Sequence, residues 1–136
     1  MKIAKTWVGL VVLQLTFVDA DANFCPVPSL VSSLENSDIA FVGRLVEAKV
    51  AEDYSASGRF TLLETLKGNV SESVSFTAEV NNGMNCGLEL SLGKAYLVFV
   101  RQNEVQLSIV TGTRLIGDQP AVLQWILDVK NGRRAT

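Results

Sequence analysis

Two cysteines, Cys25 and Cys86, are the residues of this chain best suited to covalent chemistry, and no histidine accompanies them. Without imidazole the chain lacks the commonest general base and the commonest metal ligand, which excludes Ser-His-Asp and Cys-His catalysis. Carboxylates are plentiful, at Glu35, Asp38, Glu47, Glu52, Asp53, Glu64, Glu72 and Glu79. Acid–base work needs two of them side by side, and their spacing brings no two together. The chain therefore reads as a binding protein rather than an enzyme, with no catalytic residue, no cofactor and no intrinsic metal site. In an exported chain an even pair of cysteines is most simply a disulfide, the alternative being two free thiols. Closing so long a loop would contribute on the order of 4 kcal/mol by a chain-entropy account. Asn69-Val70-Ser71 matches an N-glycosylation sequon, which carries meaning in a eukaryotic secretory pathway and is otherwise a chance match.

Export is read from residues 1–22. Lys2 and Lys5 form a positive start, and the apolar run from Trp7 to Leu13 continues past Gln14 to Phe17 and Val18. That run is too short to span a bilayer and fits a cleavable signal peptide. Ala20-Asp21-Ala22 supplies small residues where a signal peptidase inspects the chain, placing the cut between Ala22 and Asn23. Phe24, directly before Cys25, is too large for a lipid-attachment box. The expected destination is the cell exterior or the periplasm, with residues 23–136 folding as one domain. No later segment is long and apolar enough for stable membrane insertion. Twelve basic against fourteen acidic residues give a net charge of −2, which argues against nucleic acid as a partner.

The elements that must position the cysteines are mostly strands. Asn23-Phe24-Cys25-Pro26-Val27-Pro28 is an extended lead-in, because its prolines forbid a regular helix. Residues 29–36 read as a helical turn or loop. Residues 38–50 read as a strand whose apolar face switches between Gly43 and Val46, the mark of a bulge or sharp bend. A second strand covers 59–66 and ends at Lys67-Gly68-Asn69. In residues 70–80, Val70, Val74, Phe76, Ala78 and Val80 share one face while Ser71, Ser73, Ser75, Thr77 and Glu79 share the other. This is the pattern of a half-buried strand with one wet face. The run 95–100 is apolar throughout and reads as buried on both faces. Val105, Leu107 and Ile109 alternate with polar residues, predicting a fifth strand joined to the fourth by a hairpin through 101–104. Val122, Trp125, Ile126 and Val129 fall at helical spacing, with Gln119 and Pro120 as a start and Asn131-Gly132 as a stop. The fold class expected is mostly β: a five-stranded antiparallel barrel of the OB type with a C-terminal α-helix.

Four stretches, in this order, resemble the netrin-like domain of tissue inhibitors of metalloproteinases, in its short single-domain form. They are Cys25 at the mature N-terminus, residues 38–46, Cys86-Gly87 followed by residues 93–99, and Thr111-Gly112-Thr113-Arg114 before the last helix. The resemblance spans nearly all of residues 23–136. It implies a Cys25–Cys86 bridge as the survivor of the family's disulfide set. Val27 stands where the family has a second cysteine, and the family's later partner cysteine is also absent near Val110 and Thr111. It further implies inhibition of an extracellular or periplasmic zinc metalloprotease. In that family the α-amino group and carbonyl of an N-terminal cysteine chelate the protease zinc, whereas here Asn23 and Phe24 precede Cys25.

The candidate inhibitory or binding ridge is accordingly Asn23, Phe24, Cys25, Pro26 and Val27, alongside Met84, Asn85 and Gly87. A non-inhibitory module that recognises a protein or glycan through the barrel face or loops is the alternative. Its candidate contacts are Arg44, Tyr54, Arg59 and the polar loop Asn81-Asn82-Gly83-Met84-Asn85. Each of these is also the kind of residue that simply faces solvent.

Overall fold

The computed structural model describes residues 25–101, 107–117 and 120–132. The signal-peptide reading, Asn23, Phe24, most of the predicted 101–104 hairpin and Gln119 lie outside the described residues.

Ser29 opens the first helix, α1 (Leu30–Asn36), its side-chain oxygen accepting the Ser32 N–H at 3.1 Å. Five strands follow: β1 (Ile39–Val50), β2 (Ser55–Lys67), β3 (Ser73–Glu79), β4 (Ala95–Val100) and β5 (Arg114–Leu115). They form one sheet in the order β3-β2-β1-β4-β5 with every ladder antiparallel. The second helix, α2 (Pro120–Lys130), begins with proline, whose missing N–H costs nothing in a first turn. It stops where Gly132, at φ 75°, donates to the Val129 carbonyl at 3.1 Å.

The predicted change of face in β1 is present as register shifts against β2 between Val42 and Gly43 and between Leu45 and Glu47. Gly43 is needed there, since a Cβ would stand 2.9 Å from the Phe41 ring. Beyond the shifts β1 loses β4 as a neighbour and continues with β2 alone.

The fifth strand is a correction. Of the predicted 105–109 strand, Val105 and Gln106 lie outside the described residues, Leu107 makes a single parallel bridge to Ala78, and Ile109–Thr111 is a turn of 3₁₀-helix. The fifth strand of the described sheet is instead Arg114–Leu115, a stretch for which no strand was expected. The Thr111 hydroxyl donates to the Ser108 carbonyl at 2.8 Å and Gly112 turns left-handed at φ 98°, so the chain curls on itself after Ser108 while Ile109 donates to the Cys86 carbonyl at 3.2 Å. Apolar alternation misled because Leu107 and Ile109 do enter the core, but from a turn. The ladders leave β3 and β5 as the edges of an open sheet.

Both faces of the sheet are covered. Phe41, Leu45, Phe60, Tyr96 and Val98 fill the inner face with Ala78, Leu88 and Leu107. Ala40, Val42, Leu97 and Phe99 fill the outer face beneath Val122 and Trp125 of α2. Alternate residues of β4 thus serve two cores, which is why its sequence is apolar throughout.

Candidate functional site

The described part of the candidate ridge is built from two segments. Cys25 and Cys86 are disulfide-bonded with their Cα atoms 5.6 Å apart, tying the extended lead-in to the connection after β3. A disulfide fits an oxidising compartment such as the cell exterior or periplasm. At the other end of the lead-in, Arg114 Nη2 donates to the Pro28 carbonyl at 2.9 Å while its Nε donates to the Gly112 carbonyl at 2.8 Å. Burial pushes the Arg114 guanidinium below its ordinary pKa, and two carbonyl acceptors compensate the desolvated charge. The sequence placed Arg114 in a motif without assigning it this clamp.

The second segment, residues 81–87, is fixed by its own asparagines. Asn81 Oδ1 accepts the Gly83 N–H at 2.7 Å, and Asn82 Oδ1 accepts those of Met84 at 2.8 Å and Asn85 at 3.0 Å. Asn85 bonds on both sides of the loop, its Nδ2 donating to the Val80 carbonyl at 2.9 Å and its Oδ1 accepting from Gly87 at 3.1 Å. These side-chain turns do locally what a strand ladder does elsewhere. Gly87 permits the final approach, because a Cβ there would fall 2.4 Å from the Val80 carbonyl carbon.

What this frame displays is mixed, with Asn81 and Asn82 exposed beside two apolar side chains. Met84 is 82% exposed and Val27 54% exposed, each two residues from one half of the disulfide. Tyr54, in the β1–β2 turn, is tied to the base of this loop through its backbone. Its carbonyl accepts the Val80 N–H at 2.8 Å, joining that turn to the end of β3 from which residues 81–87 depart. Tyr54 sits at φ 63°, a left-handed conformation unusual for so bulky a side chain, and is half exposed. The neighbouring Asp53 carboxylate accepts the Ser55 hydroxyl at 2.7 Å, a bond that lowers its pKa from the ordinary aspartate value.

The remaining candidates serve other purposes. Arg44 Nη1 donates to the Gly93 carbonyl at 2.7 Å, bracing the turn before β4. Arg59 pairs with Glu47 at 3.3 Å across β1 and β2, away from the ridge. A cleft of about 840 Å³ lies over that part of the sheet, bordered by Lys49, Arg59, Ser73, Ser75 and Thr77. Phe41, Phe60 and Val98 beneath it are fully buried, while Val70, Val74 and Phe76 in its lining are half-buried, so apolar surface opens into it. Among the described residues no helix is long and apolar enough to cross a membrane. No family model matches the chain, and a search of curated proteins finds no match.

Fold and site together define a small disulfide-stapled β domain in which Cys25 and Cys86 hold residues 25–28 beside the loop that exposes Met84.

Proposed function

We propose that this chain is an exported binding protein whose ridge, residues 25–28 with 81–87, inserts as a wedge into the cleft of a zinc metalloprotease. The observation that carries the reading is Met84, exposed on a loop that a disulfide and three asparagine side chains hold in shape. A projection ordered before binding loses little entropy on docking. The resemblance of residues 25–114 to the netrin-like domain of tissue inhibitors of metalloproteinases supports the choice of partner. It also favours closure of the sheet into an OB-type barrel. Leu107 makes the first contact of that kind, accepting the Glu79 N–H at 3.2 Å and donating to the Thr77 carbonyl at 2.9 Å.

Residues 1–22 enter this reading as the removed signal peptide. With the cut after Ala22, Asn23 and Phe24 stand in front of Cys25, so the wedge works by filling the cleft and not by chelating zinc with a cysteine amine. The same two residues favour a second reading, a non-inhibitory module that engages a protein or glycan through the ridge. The test is to determine the N-terminal residue of the secreted protein and assay it against a panel of zinc proteases beside a version starting at Cys25. Inhibition by the secreted form supports the wedge, and inhibition only by the shortened form supports chelation. Failure of both forms across the panel leaves the second reading.

A further inference from the structure

We propose that the free edge of β1 over residues 46–50 pairs with the same edge of a second copy of this chain, antiparallel and centred on Ala48. The edge exists because β4 stops pairing with β1 at Arg44, with only Leu45 still bonded to Gly93 and Lys94 on that side. Beyond it, among the described residues, β1 is laddered to β2 alone. Ala51 donates to the Ser55 carbonyl at 2.8 Å, so by the alternation of an antiparallel ladder Lys49 also bonds β2. Ala48 and Val50 therefore point their N–H and C=O groups away from the sheet. Val46 and Val50 are exposed beside them, at 39% and 51%. An open edge of this kind templates another strand.

The sequence of the edge says which strand. Val46-Glu47-Ala48-Lys49-Val50 is self-complementary when reversed about Ala48. Antiparallel pairing of two copies sets Glu47 opposite the partner's Lys49 and Val46 opposite the partner's Val50, and the two-fold axis repeats both contacts. Ala48 lies on the axis, where the two copies exchange a pair of backbone hydrogen bonds. Glu47 already accepts from Arg59 at 3.3 Å yet keeps 66% of its side chain exposed, leaving carboxylate surface for a second cation. Five residues a side bury well below the ~1,200 Å² of a stable interface, so the dimer is weak and depends on concentration.

Sedimentation equilibrium of the secreted protein from ~10 μM to ~1 mM reads this directly, over the range where weak dimers dissociate. The expected mass climbs toward twice the monomer value, and amide exchange at Ala48 and Val50 slows in step. Glu47→Lys and Lys49→Glu each place like charges across both symmetric contacts and should weaken self-association about tenfold. Mixing the two variants restores opposite charges at every contact and should restore association. Ala48→Pro removes the central donor and should abolish it, with circular dichroism reporting whether that variant still folds. A protein that stays monomeric throughout, or one whose charge variants associate as the unaltered chain does, overturns the proposal.

Discussion

Residues 81–87 keep their shape through asparagine side chains and one disulfide, whereas the five-stranded sheet keeps its shape through apolar side chains buried on both faces. The two constructions respond to different insults. Apolar burial is cooperative, so damage to either core reaches the whole domain. The ridge adds few buried apolar groups, and opening it need not open the sheet. A segment built this way can display Met84 to solvent, which a segment held by burial could not.

The largest expected effect falls on the sheet. Phe60 is fully buried, stacked on Phe76 at 4.6 Å between ring centroids and edge-on to Phe41 and Tyr96. Phe60→Ala should cost about 3–5 kcal/mol in chemical denaturation. Ridge and sheet should then unfold together, and a ridge that survives loss of the sheet breaks the comparison.

Replacing both cysteines with serine should cost about 2–4 kcal/mol. Hydrogen exchange should quicken more at residues 81–87, which open locally, than at the slowest amides of β1 and β4, which quicken only by that loss of global stability. Uniform quickening would show that the ridge is part of the cooperative core.

A smaller effect is expected at Tyr96, whose buried hydroxyl donates to the Glu89 carbonyl at 2.7 Å and accepts the Ser91 N–H at 2.8 Å. Tyr96→Phe leaves both groups without that partner and should cost about 1–2 kcal/mol. Burial raises the Tyr96 pKa above the ordinary tyrosine value, so the folded chain holds the phenolic proton more tightly than the unfolded chain. Its contribution is complete below the unfolded-state pKa of ~10 and is lost as pH rises from there through the folded-state value. Tyr96→Phe should remove that part of the alkaline decline in a pH series of unfolding curves.

The smallest effect on stability belongs to the residue given the largest role in binding. Met84→Ala should move the unfolding midpoint by less than the equivalent of ~0.5 kcal/mol, as exposed sites do. A larger shift would place Met84 in the core.

Much of the sheet was legible because period-two alternation survives wherever one face is wet, as in β3 with Val74, Phe76 and Ala78 set against Ser73, Ser75 and Thr77. The bulges of β1 were legible for the same reason, since the apolar face changes at Gly43 to Val46. Arg114–Leu115 was not, because two residues carry no period and their pairing with Tyr96 and Leu97 is set by the Gly112 turn. In the ridge, two cysteines sufficed to suggest the tether. The clamp from Arg114 to Pro28 spans 86 positions and no spacing rule reports it. Tyr54 was a candidate contact by exposure alone, and its bond to Val80, which brings it beside the ridge, is visible only in the fold.

Entry of residues 25–28 and 81–87 into a protease cleft is measured by inhibition with the secreted protein, with and without Met84→Asp. One-to-one inhibition of at least one zinc protease is expected, weakened about a hundredfold by Met84→Asp at unchanged unfolding temperature, as for a central hot spot. Inhibition that Met84→Asp leaves intact, or no inhibition of any zinc protease tested, contradicts it.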